Sequence, residues 1–111
     1  MTPGQLRRAA LSFPDAEEVE TWGQATFRVR RKMFCILGDD GKRASIKATP
    51  EAQAELLAAN PALYSFAPYV GRHGWVTVDV AGADAAEVAE LLEDAWRLTA
   101  PKRVLAAFYR D

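Results

Sequence analysis

TFRVRRKMFCILGDDGKRASIKAT, residues 26–49, reads as two consecutive β-hairpins that carry most of the concentrated positive charge. Successive strand residues point to opposite faces, so in Phe27–Arg30 the pair Phe27 and Val29 faces one way and Arg28 and Arg30 the other. That alternation marks a half-buried strand. The next arm, Met33–Leu37, is apolar on both faces, as in a central strand covered on both sides. The third arm alternates again, with Ala44, Ile46 and Ala48 opposed to Arg43, Ser45 and Lys47. Between the second and third arms, Gly38-Asp39-Asp40-Gly41 supplies residues that tolerate positive φ, which predicts a hairpin there.

Working outward, Thr2 and Pro3 form a helix start, and Leu6, Ala9, Ala10 and Phe13 form its apolar stripe up to Pro14. Glu17–Trp22 reads as a short edge strand whose acids discourage edge-to-edge association. On the other side, Thr49-Pro50-Glu51 opens a second helix bearing Ala54, Leu56 and Leu57, which stops near Asn60-Pro61. Residues 61–74 have no sustained period yet hold Leu63, Tyr64, Phe66, Tyr69 and Val70, a candidate functional loop. Trp75–Val80 alternates as a fifth strand. Asp84 and Glu87 have capping-box spacing before a helix with Val88, Leu91, Leu92, Ala95 and Trp96 on one face. After Pro101 a final amphipathic segment carries Val104, Leu105 and Phe108, with Lys102, Arg103 and Arg110 on its other faces. The expectation is one α+β domain over residues 1–111, an antiparallel sheet of about five strands packed against helices.

Composition narrows the function classes. A net charge of −1 gives the whole molecule no attraction for a polyanion, so affinity for nucleic acid requires charge segregation. The single cysteine, Cys35, lies in an apolar strand, which fits packing in a reducing compartment. No secretory or membrane-spanning pattern is present, so the expected location is cytoplasmic, without membrane. No phosphate loop, nucleophile elbow or metal-ligand spacing occurs, and the expectation is a protein that is not an enzyme, without cofactor or metal.

Charge is divided by region. From Arg28 to Lys47, seven basic residues (Arg28, Arg30, Arg31, Lys32, Lys42, Arg43, Lys47) stand against Asp39 and Asp40, whereas residues 15–20 and 84–94 are acidic blocks. A face that gathers those cations suits phosphate contacts; a solvated strand face on which long basic stems cover apolar atoms fits the same pattern. Arg72 and the pair Lys102 and Arg103 are secondary candidates. A different reading takes Trp22, Tyr64, Tyr69, His73 and Trp75 as a ligand or protein-interaction site, although such aromatics also serve as core. His73, the lone histidine, would need an orienting carboxylate to act as a base, and Asp79 on the next strand is the nearest in sequence.

Taken together, ALSFPDAEEVETWGQATFRVRRKMFCIL, IKATPE, GRHGWVTVDV and AWRLTAPKRVLAAF resemble the MmcQ/YjbR family of small bacterial proteins, over about Leu11 to Phe108. The resemblance implies an α+β fold described as CyaY-like or double wing, and a predicted DNA-binding role. One departure is Arg31, where relatives typically have glycine in the first hairpin turn. It takes positive φ at a steric cost if the turn is tight, or simply adds charge to a wing tip if the turn is longer. DNA is thus the expected partner and a monomer, at most a weak dimer, the expected state. The absence of a helix with exposed base-reading groups predicts little sequence preference.

Overall fold

The alternating pattern of residues 16–46 folds as a four-strand meander: β1 (Ala16–Thr21), β2 (Gln24–Val29), β3 (Lys32–Leu37) and β4 (Arg43–Ile46). The computed structural model of the chain describes residues 1–109. Two further strands, β5 (Tyr64–Phe66) and β6 (Val76–Asp79), complete a six-stranded sheet of order β1-β2-β3-β4-β6-β5 with every neighbouring pair antiparallel. Helices α1 (Pro3–Leu11), α2 (Pro50–Ala59), α3 (Ala85–Thr99) and α4 (Lys102–Phe108) supply the second layer. Arg110 lies outside the described residues.

The sixth strand is the first difference from expectation. Tyr64–Phe66 is only three residues long and lies in the segment read as an aperiodic loop, because a strand that short shows no alternation. It hydrogen-bonds to β6 as a sheet edge, and a 3₁₀ turn at Gly71–His73 leads back into β6. A second difference concerns β3. Its double-sided apolarity comes from a β-bulge: the partners of β2 jump from Phe27–Cys35 to Arg28–Met33, leaving Phe34 as the extra residue. Phe34 and Cys35 are both wholly buried, while Met33 and Ile36 on the face without helices are half-buried.

Both tight hairpins use two central residues at positive φ, the type I′ geometry that matches strand twist. They are Trp22 (50°) with Gly23 (81°), and Arg30 (50°) with Arg31 (74°). The first of the two turn geometries for Arg31 is therefore the one adopted. Since a left-handed conformation costs a non-glycine residue about 1–2 kcal/mol, and glycine gives back part of that in unfolded-state entropy, Arg31→Gly should stabilise the fold by roughly 0.5–1 kcal/mol. A higher urea midpoint with unchanged slope is the expected result; a lower one would mean that the arginine side chain contributes more than the strain it bears.

Helix ends also depart from expectation. Asp84 is the N-cap of α3, but its side chain caps nothing, and Glu87 accepts a hydrogen bond from the Tyr64 hydroxyl instead of closing a box. The capping box forms at α1, where Thr2 and Gln5 exchange backbone and side-chain bonds at 3.1 and 2.8 Å. In α2, Ala54 is exposed and the buried position is Gln53, whose amide donates to the carbonyls of Gly71 (2.8 Å) and Trp75 (2.6 Å). That pair of bonds ties α2 to the segment 71–75.

The core lies between the helices and one face of the sheet. Phe27, Val29, Phe34, Cys35, Ile46, Val76 and Val78 from the strands meet Leu6, Val88, Leu92 and Trp96 from α1 and α3. Trp96 stacks on Phe13 at 5.4 Å between centroids, meets Phe108 edge-on at 4.8 Å, and donates its indole N–H to the Pro14 carbonyl at 3.1 Å. It joins α1, α3 and α4 in one contact.

Two buried acids of weak strength make stability depend on alkaline pH. Burial pushes the Cys35 thiol well above its ordinary range. Burial first, then the bond and charge of Glu87 and the charge of Asp84, push the Tyr64 phenol up as well. Both groups hold their protons more tightly folded than unfolded, so their stabilisation is complete below the unfolded values and is lost as pH rises through the folded ones. Unfolding free energy should therefore fall above about pH 9, by up to about 1.4 kcal/mol per pH unit for Cys35 alone. Cys35→Ala and Tyr64→Phe should each flatten the decline in urea titrations taken from neutral to alkaline pH; an unchanged slope would contradict the assignment.

Candidate nucleic-acid interface

Strand polarity decides where each charge goes. The pairs Val29–Lys32 and Ile46–Val76 bring the Arg30-Arg31 turn, the β4 exit at Lys47 and the 3₁₀ turn at Arg72 to one end of the sheet. The pairs Leu37–Ala44 and Arg43–Asp79 put Lys42, Arg43 and the Gly38–Gly41 turn at the other end. With about 3.3 Å per residue, the length of β3 separates the two groups by roughly 20 Å. Helix α3 starts beside Tyr64, at the far end, and runs to Trp96, which touches Pro14 just before β1 at the basic end. Lys102 and Arg103 at the head of α4 follow from there.

The candidates are therefore split. Arg31, Lys32, Arg72, Lys102 and Arg103 are exposed and Lys47 is half-exposed at the basic end, without a carboxylate partner within 4.0 Å among the described residues. Arg30 stands with them but forms an ion pair with Asp15 at 2.9 Å, both side chains about half exposed. Such a surface pair holds weakly and exchanges readily. Lys42 and Arg43 are also exposed but share the far end with Asp39, Asp40, Asp79, Asp84 and Glu87.

Arg28 is different again. Its guanidinium lies on the open face of the sheet, donating to Thr26 (3.1 Å), Thr21 (3.2 Å) and the Arg31 carbonyl (3.0 Å). Thr26 in turn donates to the Val19 carbonyl at 2.6 Å. These bonds stitch β1 to β2 and support the β2–β3 turn from beneath. Its donors are directed into the protein, which makes it a brace for the turn more than a contact for an external phosphate. Alternation in the sequence placed Arg28 on the open face; only the cross-strand threonines reveal what it holds.

The aromatic candidates do not gather into one pocket. Tyr64 and Trp75 are buried, Tyr64 against α3 and Trp75 with its carbonyl held by Gln53. Trp22, at the β1–β2 tip, and Tyr69, in the loop after β5, are 99% and 96% exposed, both at positive φ. His73 is exposed beside Arg72, and Asp79 lies at the opposite end of β6, so the two form no dyad. Gly74 adopts φ 101°, and a Cβ there would stand 2.6 Å from the Ala48 carbonyl oxygen, so the Gly74-Trp75 pair serves close packing of the two segments. Among the described residues no three His, Cys, Asp or Glu side chains are placed to hold a metal ion, and no helix is long and apolar enough to cross a membrane.

A single antiparallel sheet with helices on one face and charged hairpin tips is thus a small α+β scaffold with its charges at the strand ends. The model of the YjbR family matches residues 11–98, and the chain belongs to that family. Its structure is similar to the crystal structure of the Deinococcus radiodurans protein DR2400, which carries the DUF419 domain, with a TM-score of 0.80 and 26% identity over 87% of this chain and 77% of that one. Among curated proteins none matches the chain.

Proposed function

We propose that the protein is a non-catalytic nucleic-acid-binding domain that contacts the phosphate backbone through the basic end of its sheet. Arg31, Lys32, Lys47, Arg72, Lys102 and Arg103 make the contacts, and Arg30 joins them by releasing Asp15. The observation that carries this reading is the register: it gathers cations from three separate segments, 30–32, 47 and 72, at one end, to which the head of α4 adds Lys102 and Arg103, while Asp39, Asp40, Asp79, Asp84 and Glu87 lie at the other. A chain of net charge −1 thereby acquires a local positive field. The exposed side of α3, the longest helix, presents Glu90 and Asp94, so α3 is not suited to enter a groove, and the proposed contacts are to phosphates and carry no base readout. Binding is accordingly insensitive to sequence. A reduced, buried Cys35 fits a cytoplasmic setting.

About six phosphate contacts predict that log K for a random-sequence duplex falls with log[salt] at a slope of roughly −5. Fluorescence anisotropy at several salt concentrations measures it. Absence of binding by the folded protein at about 50 mM salt, or a slope near zero, would reject the proposal.

A further inference from the structure

The face of the sheet that carries no helix holds a cleft of about 520 Å³ over β3, β4 and β6. Its floor is Ile36, Ser45 and Thr77, the last two hydroxyls hydrogen-bonded to each other at 3.1 Å, and its wall is Phe66, Tyr69 and Val70. Arg43 lines one end of the cleft and has no carboxylate within 4.0 Å among the described residues. Gln24 also lines it, two residues from Trp22 at the β1–β2 tip.

Two exposed rings, Tyr69 in the cleft wall and Trp22 at the β1–β2 tip outside it, have no structural use in the fold. Tyr69 and Trp22 are almost fully exposed, and each is held in a left-handed backbone conformation that a bulky side chain rarely adopts. Phe66, which shares the cleft wall with Tyr69, is 57% exposed. A fold gains nothing by fixing large rings in water at a backbone cost, so the strain points to a surface completed by something flat. The charges say what else that partner carries. Along β4 the open face runs from Lys42 and Arg43 at one end to Lys47 at the other, where Arg31 and Lys32 also stand.

We infer that this open face binds single-stranded nucleic acid, its bases stacking on Tyr69, Phe66 and Trp22 and its backbone bridging Arg43 to the basic end. Every base has a π-face, so stacking of this kind is tolerant of sequence, and the Ser45 and Thr77 hydroxyls offer polar contacts to a base edge. The inference rests on the phosphate-binding reading for its basic end and adds the strand form that is preferred. It also gives Lys42 and Arg43 a role that a footprint confined to one end denies them.

The test compares a mixed-sequence single strand of about twelve nucleotides with the duplex of the same length. The single strand is expected to bind more tightly. Tyr69→Ala and Trp22→Ala, both at exposed positions that leave the core intact, should each lower single-strand affinity about five- to tenfold and leave duplex affinity within about twofold. Trp75 and Trp96 are buried, so quenching of tryptophan emission on titration reports Trp22 directly and should vanish in Trp22→Ala. Single-strand affinity and emission untouched by either substitution, while duplex binding persists, overturns the stacking inference and leaves the basic end standing. Single-strand binding lost on substitution, with no duplex binding at low salt, supports the inference and removes the duplex reading. No binding of either form overturns both.

Discussion

Truncating Trp96 to alanine should cost about 3–5 kcal/mol, the largest loss expected from any single substitution in the core. The side chain is wholly buried and supplies the face on which Phe13 stacks and the edge that Phe108 meets. Removing it opens a void at the junction of α1, α3 and α4, which α4, only seven residues long, cannot collapse to fill without losing its own seat. The Pro14 carbonyl also loses its donor. For a domain of this size the melting temperature should drop by more than about 12 °C. Trp96→Phe keeps the ring contacts and strands only the carbonyl, so it should cost roughly 1–3 kcal/mol. Equal losses for the two variants, read from urea denaturation, would contradict the stacking account.

Reversing two charges at the hairpin tip should have the largest effect on binding. Arg31→Glu with Lys32→Glu removes two phosphate contacts and sets two repulsive charges in their place. Both residues are exposed, and neither makes a side-chain hydrogen bond or ion pair among the described residues, so the fold has no stake in their charge. Duplex affinity at about 50 mM salt is expected to fall about a hundredfold, with a salt slope shallower by about two. Arg28→Ala is a useful contrast. It removes the brace under the turn, so its effect should show in stability more than in the salt slope, because its donors already serve Thr21, Thr26 and the Arg31 carbonyl. Similar losses of slope for the two variants would contradict the division of roles drawn between them.

The parts of this fold that periodicity makes legible are those long enough to express a period. The two hairpins of residues 24–46 and the helix carrying Val88, Leu92, Ala95 and Trp96 lie where alternation and helical spacing put them. β5 is too short for that, and its aromatic run mixes one buried ring, Tyr64, with one exposed ring, Phe66, on a sheet edge. The bulge at Phe34 makes a one-sided strand look two-sided, because the extra residue turns a surface position inward. Asp84 and Glu87 have the spacing of a capping box, but a tyrosine hydroxyl from β5 competes for the glutamate, and no local rule can register a partner 23 residues away.

The site was less legible than the fold for a related reason. Sequence shows a basic stretch from Arg28 to Lys47 as one run, whereas antiparallel pairing sends Lys42 and Arg43 to the end of the sheet opposite Arg30, Arg31, Lys32 and Lys47. The same pairing brings Arg72, 40 residues beyond Lys32, to the end where that lysine stands. Arg31 is the position where sequence pattern and structure meet most closely. A residue that bears backbone strain in a type I′ turn, at φ 74° and with its side chain in solvent, is kept there at some expense to the fold. Charge at a hairpin tip is what an arginine supplies there and a glycine would not.

The most direct test of the account is to map the footprint of a short random duplex on the folded protein by amide chemical shifts at low salt. The account predicts that perturbed amides cluster at residues 30–32, 47–48, 72–74 and 102–103, with residues 38–43 and 79–87 unaffected. Perturbations centred on the Gly38–Gly41 turn, or spread evenly over both ends of the sheet, would contradict the claim that strand register assembles the phosphate-binding surface.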